Sequence, residues 1–270
     1  MERYSFVSIK PVKSLGQSFL IHEKTADKLV SALELQPTDT VVEIGAGKGI
    51  LTSRIIPKAK LVIAIEIDSR LVNYLNEKFS QADNLQIVHT DFLKFDLKRY
   101  QRLKIIANLP YYMSSAILWK LLDNFNCWEI AVLTVQREFA RRLLATSGSN
   151  DYCPLAVFCE YHCERQRLFN IPPAYFKPRP KIVSSAFRLM RHQPTFQISS
   201  YPKFIPIVFG AFTPQPRKLL INNLARSLKI NRNELIRIFN ELNLPLNIRA
   251  AEVNLKQFIQ LANALTQFVY

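Results

Sequence analysis

Acidic residues nearly vanish from the second part of this chain. From Arg165 to Tyr270 only Glu234, Glu241 and Glu252 stand against sixteen Lys and Arg, so this stretch carries +13 of the +15 net charge of the 270 residues. General solubility through excess lysine would not confine the excess to one part of the chain. A nearly neutral body joined to a face that grips a polyanion would. Cysteine is also scarce. Cys127, Cys153, Cys159 and Cys163 are too few for a disulfide framework in a chain of this length. Cys159, His162 and Cys163 form C-x-x-H-C without the paired C-x-x-C knuckle, so buried thiols are expected and no metal site. No apolar run reaches the roughly 18 residues of a membrane helix. The opening MERYSFVSIKPVKS lacks a secretory apolar stretch, so a cytoplasmic protein is expected. There is no internal repeat, no low-complexity segment and no oligomeric signal, so a monomer is expected. What is present is ample core material: 49% hydrophobic and 11% aromatic residues exclude a disordered chain.

Strand and helix patterns alternate through the first two thirds. Thr40–Ile44, Leu61–Ile65, Leu85–His89, Leu103–Ala107, Ile130–Val135, Leu155–Tyr161 and Val183–Leu189 are expected strands. Glu23–Leu35, Gly49–Ile56, Ser69–Phe79, Ser114–Leu122 and Arg137–Ala145 are expected helices. Alternation of this kind implies a mostly parallel sheet with helices on both faces. After about His192 only helices are expected, over Tyr201–Ala211, Arg217–Leu228, Arg232–Leu242 and Leu255–Phe268, which suggests two domains, 1–192 and 193–270.

Three features at expected strand ends describe one pocket. In VVEIGAGKGILT, Gly45, Gly47 and Gly49 follow a strand and open a helix, where glycine lets the backbone approach a ligand closely. Glu43, two residues earlier, disfavours a pyrophosphate and suits the positive amino-acid end of S-adenosylmethionine. Glu66, 21 residues after Gly45, is placed to accept both ribose hydroxyls. Asp91 in HTDF is either an acceptor for the adenine amino group or an ordinary turn aspartate. In this order they fit an adenosine-bearing methyl donor.

The fourth feature is NLPYYMSSAIL at the end of Leu103–Ala107. An exocyclic adenine amine is a poor nucleophile because its lone pair is delocalised into the ring. The Asn108 side-chain oxygen and the backbone carbonyl in the Pro110 region can bond its N–H groups and localise that pair, with the proline fixing φ. Tyr111 offers a face for a base flipped out of its stack.

The chain resembles the ribosomal RNA adenine dimethyltransferases, most closely those that dimethylate two adjacent adenines near the 3′ end of small-subunit RNA. The resemblance spans nearly the whole chain and rests on KSLGQSFL (Lys13–Leu20), EIGAGKG, EID, TDFLKFDL, NLPYYMSSAIL, VQREFARRLLATSGSNDY, IPPAYFKPRPKI and RKLLINNL. It implies a Rossmann-like α/β sheet of the class I S-adenosylmethionine-dependent methyltransferases, preceded by an arm over 1–20 and followed by a small all-helical RNA- or ribosome-binding domain. It implies donor binding by Gln17, Ser18, Leu20, Glu43, Gly45, Gly47, Glu66, Ile67, Asp91, Phe92 and Asn108. Asn108, Leu109, Pro110 and Tyr111 would form the catalytic tetrapeptide, and Tyr111 with an exposed Phe176 would sandwich the target base. Arg137, Arg141, Arg142, Lys177, Arg179, Lys181, Arg217 and Lys218 would hold small-subunit RNA in a pre-ribosomal particle.

Four departures from the family pattern stand out. Ser18 replaces an Asn, Cys153 a Gly and Val183 an Asp, while Gln215–Lys218 reads QPRK where the family has QRRK. The Ser18 change bears on one hydrogen bond to the donor, and the RNA-side changes bear on contacts to the ribosomal particle more than on the activity. Two alternatives accompany the main expectation. One is a methyltransferase of large-subunit RNA of the antibiotic-resistance type. The other is a non-catalytic RNA-binding assembly factor on the same fold.

Overall fold

The computed structural model describes residues 9–12, 15–215 and 217–269. In chain order it has β1 (Phe19–Leu20), α1 (Glu23–Ser31), β2 (Thr40–Ile44), α2 (Thr52–Ile55), β3 (Leu61–Glu66), α3 (Ser69–Lys78), β4 (Leu85–His89), β5 (Leu103–Asn108), α4 (Ser114–Asp123) and β6 (Trp128–Gln136). Then come α5 (Arg137–Leu143), α6 (Pro154–His162), β7 (Cys163–Ile171), β8 (Phe176–Lys177) and β9 (Ser184–Arg191). The last four helices are α7 (Tyr201–Phe212), α8 (Leu220–Leu228), α9 (Arg232–Glu241) and α10 (Leu255–Leu265). Among the described residues no helix is long and apolar enough to cross a membrane.

The chain divides into two compact units, residues 1–140 with 165–191 and residues 141–164 with 192–270. The first is built on a seven-stranded sheet in the order β4-β3-β2-β5-β6-β9-β7. Strands β2, β3, β4, β5 and β6 are parallel to one another, and β9 runs antiparallel to β6. Strands covered by helices on both faces read as almost unbroken apolar runs, and TVVEI, LVIAIE and LKIIAN do so. The chain runs outward from β2 to β3 and β4, then returns to lay β5 on the other side of β2. Such a reversal opens a crevice beyond the carboxyl ends of the two central strands. The registers pair Ile44 with Ile65 and with Ala107, so Gly45, Glu66 and Asn108 sit at one level on that rim.

One expected strand fails. Leu155–Tyr161 is not a strand but the body of α6, with Pro154 in its first turn. Ala156, Val157, Phe158, Cys159, Tyr161 and His162 are all buried there, so no polar stripe marks the helical period and its apolar run mimics a buried strand. The proline at the helix start was the usable signal. The charged segment CERQRLFNI that follows is the edge strand β7. The compact units also divide the chain differently from the expected 1–192 and 193–270, since 141–164 groups with the C-terminal helices. Phe158 of α6 packs edge-on to Phe204 of α7 with ring centroids 5.4 Å apart, and a buried aromatic helix stays with the core that covers it. Cys127, Cys159 and Cys163 are buried and none of the four cysteines is bridged.

Candidate active site

Beyond β2 the backbone turns back on β3: the Gly45 and Ala46 N–H groups both donate to the Ile65 carbonyl, at 2.8 and 3.2 Å. Gly45 has φ +73°, and a Cβ built on it would meet nothing within 4 Å, so it faces open space. Gly49, at φ +74°, serves packing instead: a Cβ there would lie 2.5 Å from the Phe79 ring. Glu66 is buried at the end of β3 and is held by the backbone. One carboxylate oxygen accepts from Gly47 N–H at 2.8 Å, the other from Ile67 and Asp68 N–H at 2.9 and 3.0 Å.

An arm closes over this turn. Phe19 and Leu20 pair antiparallel with Lys177 and Phe176 as β1 and β8. Gln17 donates to Asp68 Oδ2 at 2.9 Å and accepts from Val12 N–H at 2.8 Å. Asp68 also caps α3 and pairs with Arg70 at 2.5 Å. Hydrogen bonds from Arg70, then from Gln17, hold its carboxyl well below the usual carboxylate range. Ser18 donates its hydroxyl to the Pro178 carbonyl at 2.9 Å.

The tetrapeptide begins inside the sheet. Asn108 is the last residue of β5, and its Nδ2 donates to the Ser18 carbonyl at 2.9 Å. A carbonyl can only accept, so this bond fixes which end of the amide is nitrogen. Oδ1 accepts no hydrogen bond among the described residues. The expected second acceptor moves by one residue. The Pro110 carbonyl is engaged by Met113 N–H at 3.0 Å and by the Ser114 hydroxyl at 3.4 Å, whereas the Leu109 carbonyl has no partner among the described residues. Tyr111 is locked by a 2.8 Å hydrogen bond between its hydroxyl and Ser184 Oγ.

One cavity collects Gln17, Ser18, Gly45, Gly47, Glu66, Ile67, Asn108, Leu109, Pro110, Tyr111 and Phe176. Leu15, Gly16, Phe19 and Leu71 line it as well and were not anticipated. Phe19 is in the KSLGQSFL segment, but its place over Gly47, whose Cβ would lie 3.1 Å from the ring, depends on β1–β8 pairing. Leu20, Glu43, Asp91 and Phe92 lie outside the lining. Leu20 and Phe92 are core side chains. Asp91 spends one oxygen on the Leu93 N–H at 2.9 Å, as a turn cap. Glu43 is 2% exposed and accepts from the Thr52 hydroxyl at 2.6 Å. Burial, opposed by that bond and reinforced by the charge of Glu66, pushes its carboxyl up to about 8. It therefore holds a proton at neutral pH and does not supply the negative charge expected of it. Phe176, expected to be exposed, is 4% exposed and packs in the core with Leu20, presenting only part of its ring to the cavity.

The basic residues are spread over both units. Lys177, Arg179 and Lys181 are exposed in the first, and Arg217 and Lys218 in the second, where they share a recess with Arg226 and Arg249. Arg137 and Arg142 are exposed as well. Arg141 differs, its Nε pairing with Asp151 at 2.8 Å. The others have no carboxylate partner among the described residues.

The model of the ribosomal RNA adenine dimethylases matches residues 10–267. This chain belongs to that family. As a member it is an S-adenosylmethionine-dependent methyltransferase of ribosomal RNA adenine. A protein of Halothermothrix orenii named ribosomal RNA small subunit methyltransferase A is 35% identical over 269 residues, covering 96% of this chain and 89% of the relative. A protein of the same name from Geobacillus sp. is 34% identical, over 98% of this chain and 94% of the relative. Among solved structures, a dimethyladenosine transferase from Plasmodium falciparum superposes with a TM-score of 0.83 over 93% of this chain and 98% of its own, at 24% identity. That likeness speaks to the fold. The 23S rRNA methyltransferase ErmE has a TM-score of 0.72 at 28% identity, over 92% of this chain and all of its own.

Proposed function

We propose that this protein dimethylates N6 of two adjacent adenines near the 3′ end of small-subunit ribosomal RNA during ribosome assembly, at the cavity where β2, β3 and β5 end. The observation that carries the proposal is the Asn108 amide, whose residue lines the cavity and whose nitrogen is tied to Ser18 while its oxygen accepts no hydrogen bond among the described residues. The residues suit a methyl donor of adenosine type: open space at Gly45, a fixed carboxylate at Glu66 and an apolar wall at Ile67. Gln17, Ser18, Gly45, Gly47, Glu66 and Ile67 would hold S-adenosylmethionine. When bound, that group supplies an electrophilic methyl on a sulfonium.

The chain's own part is positioning and charge stabilisation. Asn108 Oδ1 and the Leu109 carbonyl accept the two N–H groups of the target amine and pull its lone pair out of conjugation. The same two acceptors stabilise the positive charge that develops on nitrogen. Tyr111, its ring set by Ser184, and Phe176 support the flipped base. Exposed Lys177, Arg179, Lys181, Arg217 and Lys218 hold phosphates, with Arg137, Arg141 and Arg142 on a further basic segment. The small-subunit assignment draws on the names of the curated relatives from Halothermothrix orenii and Geobacillus sp.. Incubation of the protein and labelled donor with unmethylated small and large subunits tests it. N6,N6-dimethyladenosine in small-subunit RNA is the expected product, and label confined to the large subunit overturns the assignment.

A further inference from the structure

Tyr112 follows Tyr111 directly, yet the two rings are treated in opposite ways. Tyr111 lines the cavity with its hydroxyl tied to Ser184, whereas Tyr112 is 61% exposed and its hydroxyl has no partner among the described residues. Its ring is nevertheless fixed on one side. A Cβ added to Gly16 would lie 3.1 and 3.2 Å from Tyr112 Cε1 and Cδ1 and 3.4 Å from Pro110 Cβ, and Gly16 and Pro110 both line the cavity. Tyr112 is thus an aromatic ring braced against the rim, with its remaining surface open to solvent.

Such a ring has a use in base flipping. Withdrawing one base from a stack leaves the face of its neighbour bare to water, and an aromatic side chain can cover that face regardless of sequence. We propose that Tyr112 is the stacking platform for the nucleotide next to the target, an inference that rests on RNA adenine methylation at this cavity. With two adjacent adenines as substrate, one of them is that neighbour while the other is in the site. Tyr112 then contributes to RNA recognition and not to the chemical step.

The test uses the full chain and small subunits assembled from transcribed RNA, with the second adenine either kept or replaced by uridine, which stacks more weakly. On the adenine pair, Tyr112→Leu is expected to raise KM for the subunit about tenfold with kcat and donor affinity unchanged, and Tyr112→Phe to stay within about twofold of wild type. On the uridine substrate, wild type loses affinity and Tyr112→Leu adds less than about twofold, because both changes remove one interaction. Wild-type behaviour of Tyr112→Leu, or an equal penalty on both RNAs, overturns the inference. So does a parallel fall in donor affinity, which would make Tyr112 a brace for the arm alone. Absence of methylation by the wild-type protein on the adenine pair would instead remove the proposed function and this inference with it.

Discussion

Asn108 is held by one end only. Its nitrogen is committed to the Ser18 carbonyl, and its oxygen accepts no hydrogen bond among the described residues. Asn108→Ala removes a preorganised acceptor, and a fall of about 10²- to 10³-fold in methyl transfer is expected, with RNA affinity within about twofold. Asn108→Asp keeps an oxygen but has no N–H for Ser18, so equal loss is expected. Single-turnover transfer and filter binding measure both effects. Glu43 makes a different prediction. Its carboxyl stays protonated to about 8 in the fold against 4.5 ordinarily, so between these values the unfolded chain releases a proton that the folded chain keeps. Stability is then full below about 4.5 and falls as pH rises towards 8, by roughly a few kcal/mol. Glu43→Gln, which mimics the protonated acid, should flatten the decline of Tm across that window.

At the scale of elements, the site depends on β1, two residues long. Its pairing with β8 is supplemented by three side-chain ties: Gln17 to Asp68, Ser18 to Pro178 and Asn108 to Ser18. Asp68 is the junction, since it also caps α3 and pairs with Arg70. Asp68→Ala should cost about 0.5–2 kcal/mol for the cap alone. It should also speed amide exchange at Phe19, Leu20, Phe176 and Lys177, leave β2, β3 and β5 protected, and weaken donor binding about tenfold. Hydrogen exchange and calorimetry read these separately. α6 and β7 make a further point at this scale. An apolar nine-residue helix and a charged nine-residue strand invert the usual compositional signals, because α6 is covered on all sides while β7 is a sheet edge.

Over the whole molecule, charge follows chain position only in part. The segment 165–191 has seven Lys and Arg and no acid, and it belongs to the sheet unit, not to the C-terminal helices. RNA affinity is expected to fall linearly in log–log form with salt. Lys218→Ala should lower that slope by about one, and Lys181→Ala should do the same if phosphates are held from both units. Removal of Arg141, which is partly neutralised by Asp151, should change it less. Affinities measured between 50 and 200 mM salt, on the scale where such contacts are felt, decide this.

The sequence by itself determined the alternating fold, the glycine turn, the acid at the end of β3 and the amide at the end of β5, because these are encoded in contiguous segments whose period and punctuation are local. Only the tertiary structure decided that Glu43 is a buried acid, that Phe176 is core, that Leu109 and not Pro110 offers the open carbonyl, and that Gly16 and Phe19 wall the cavity. Each of these depends on which distant strand or arm lies across the residue, and burial and hydrogen-bond partners are set by that packing rather than by neighbours in the chain.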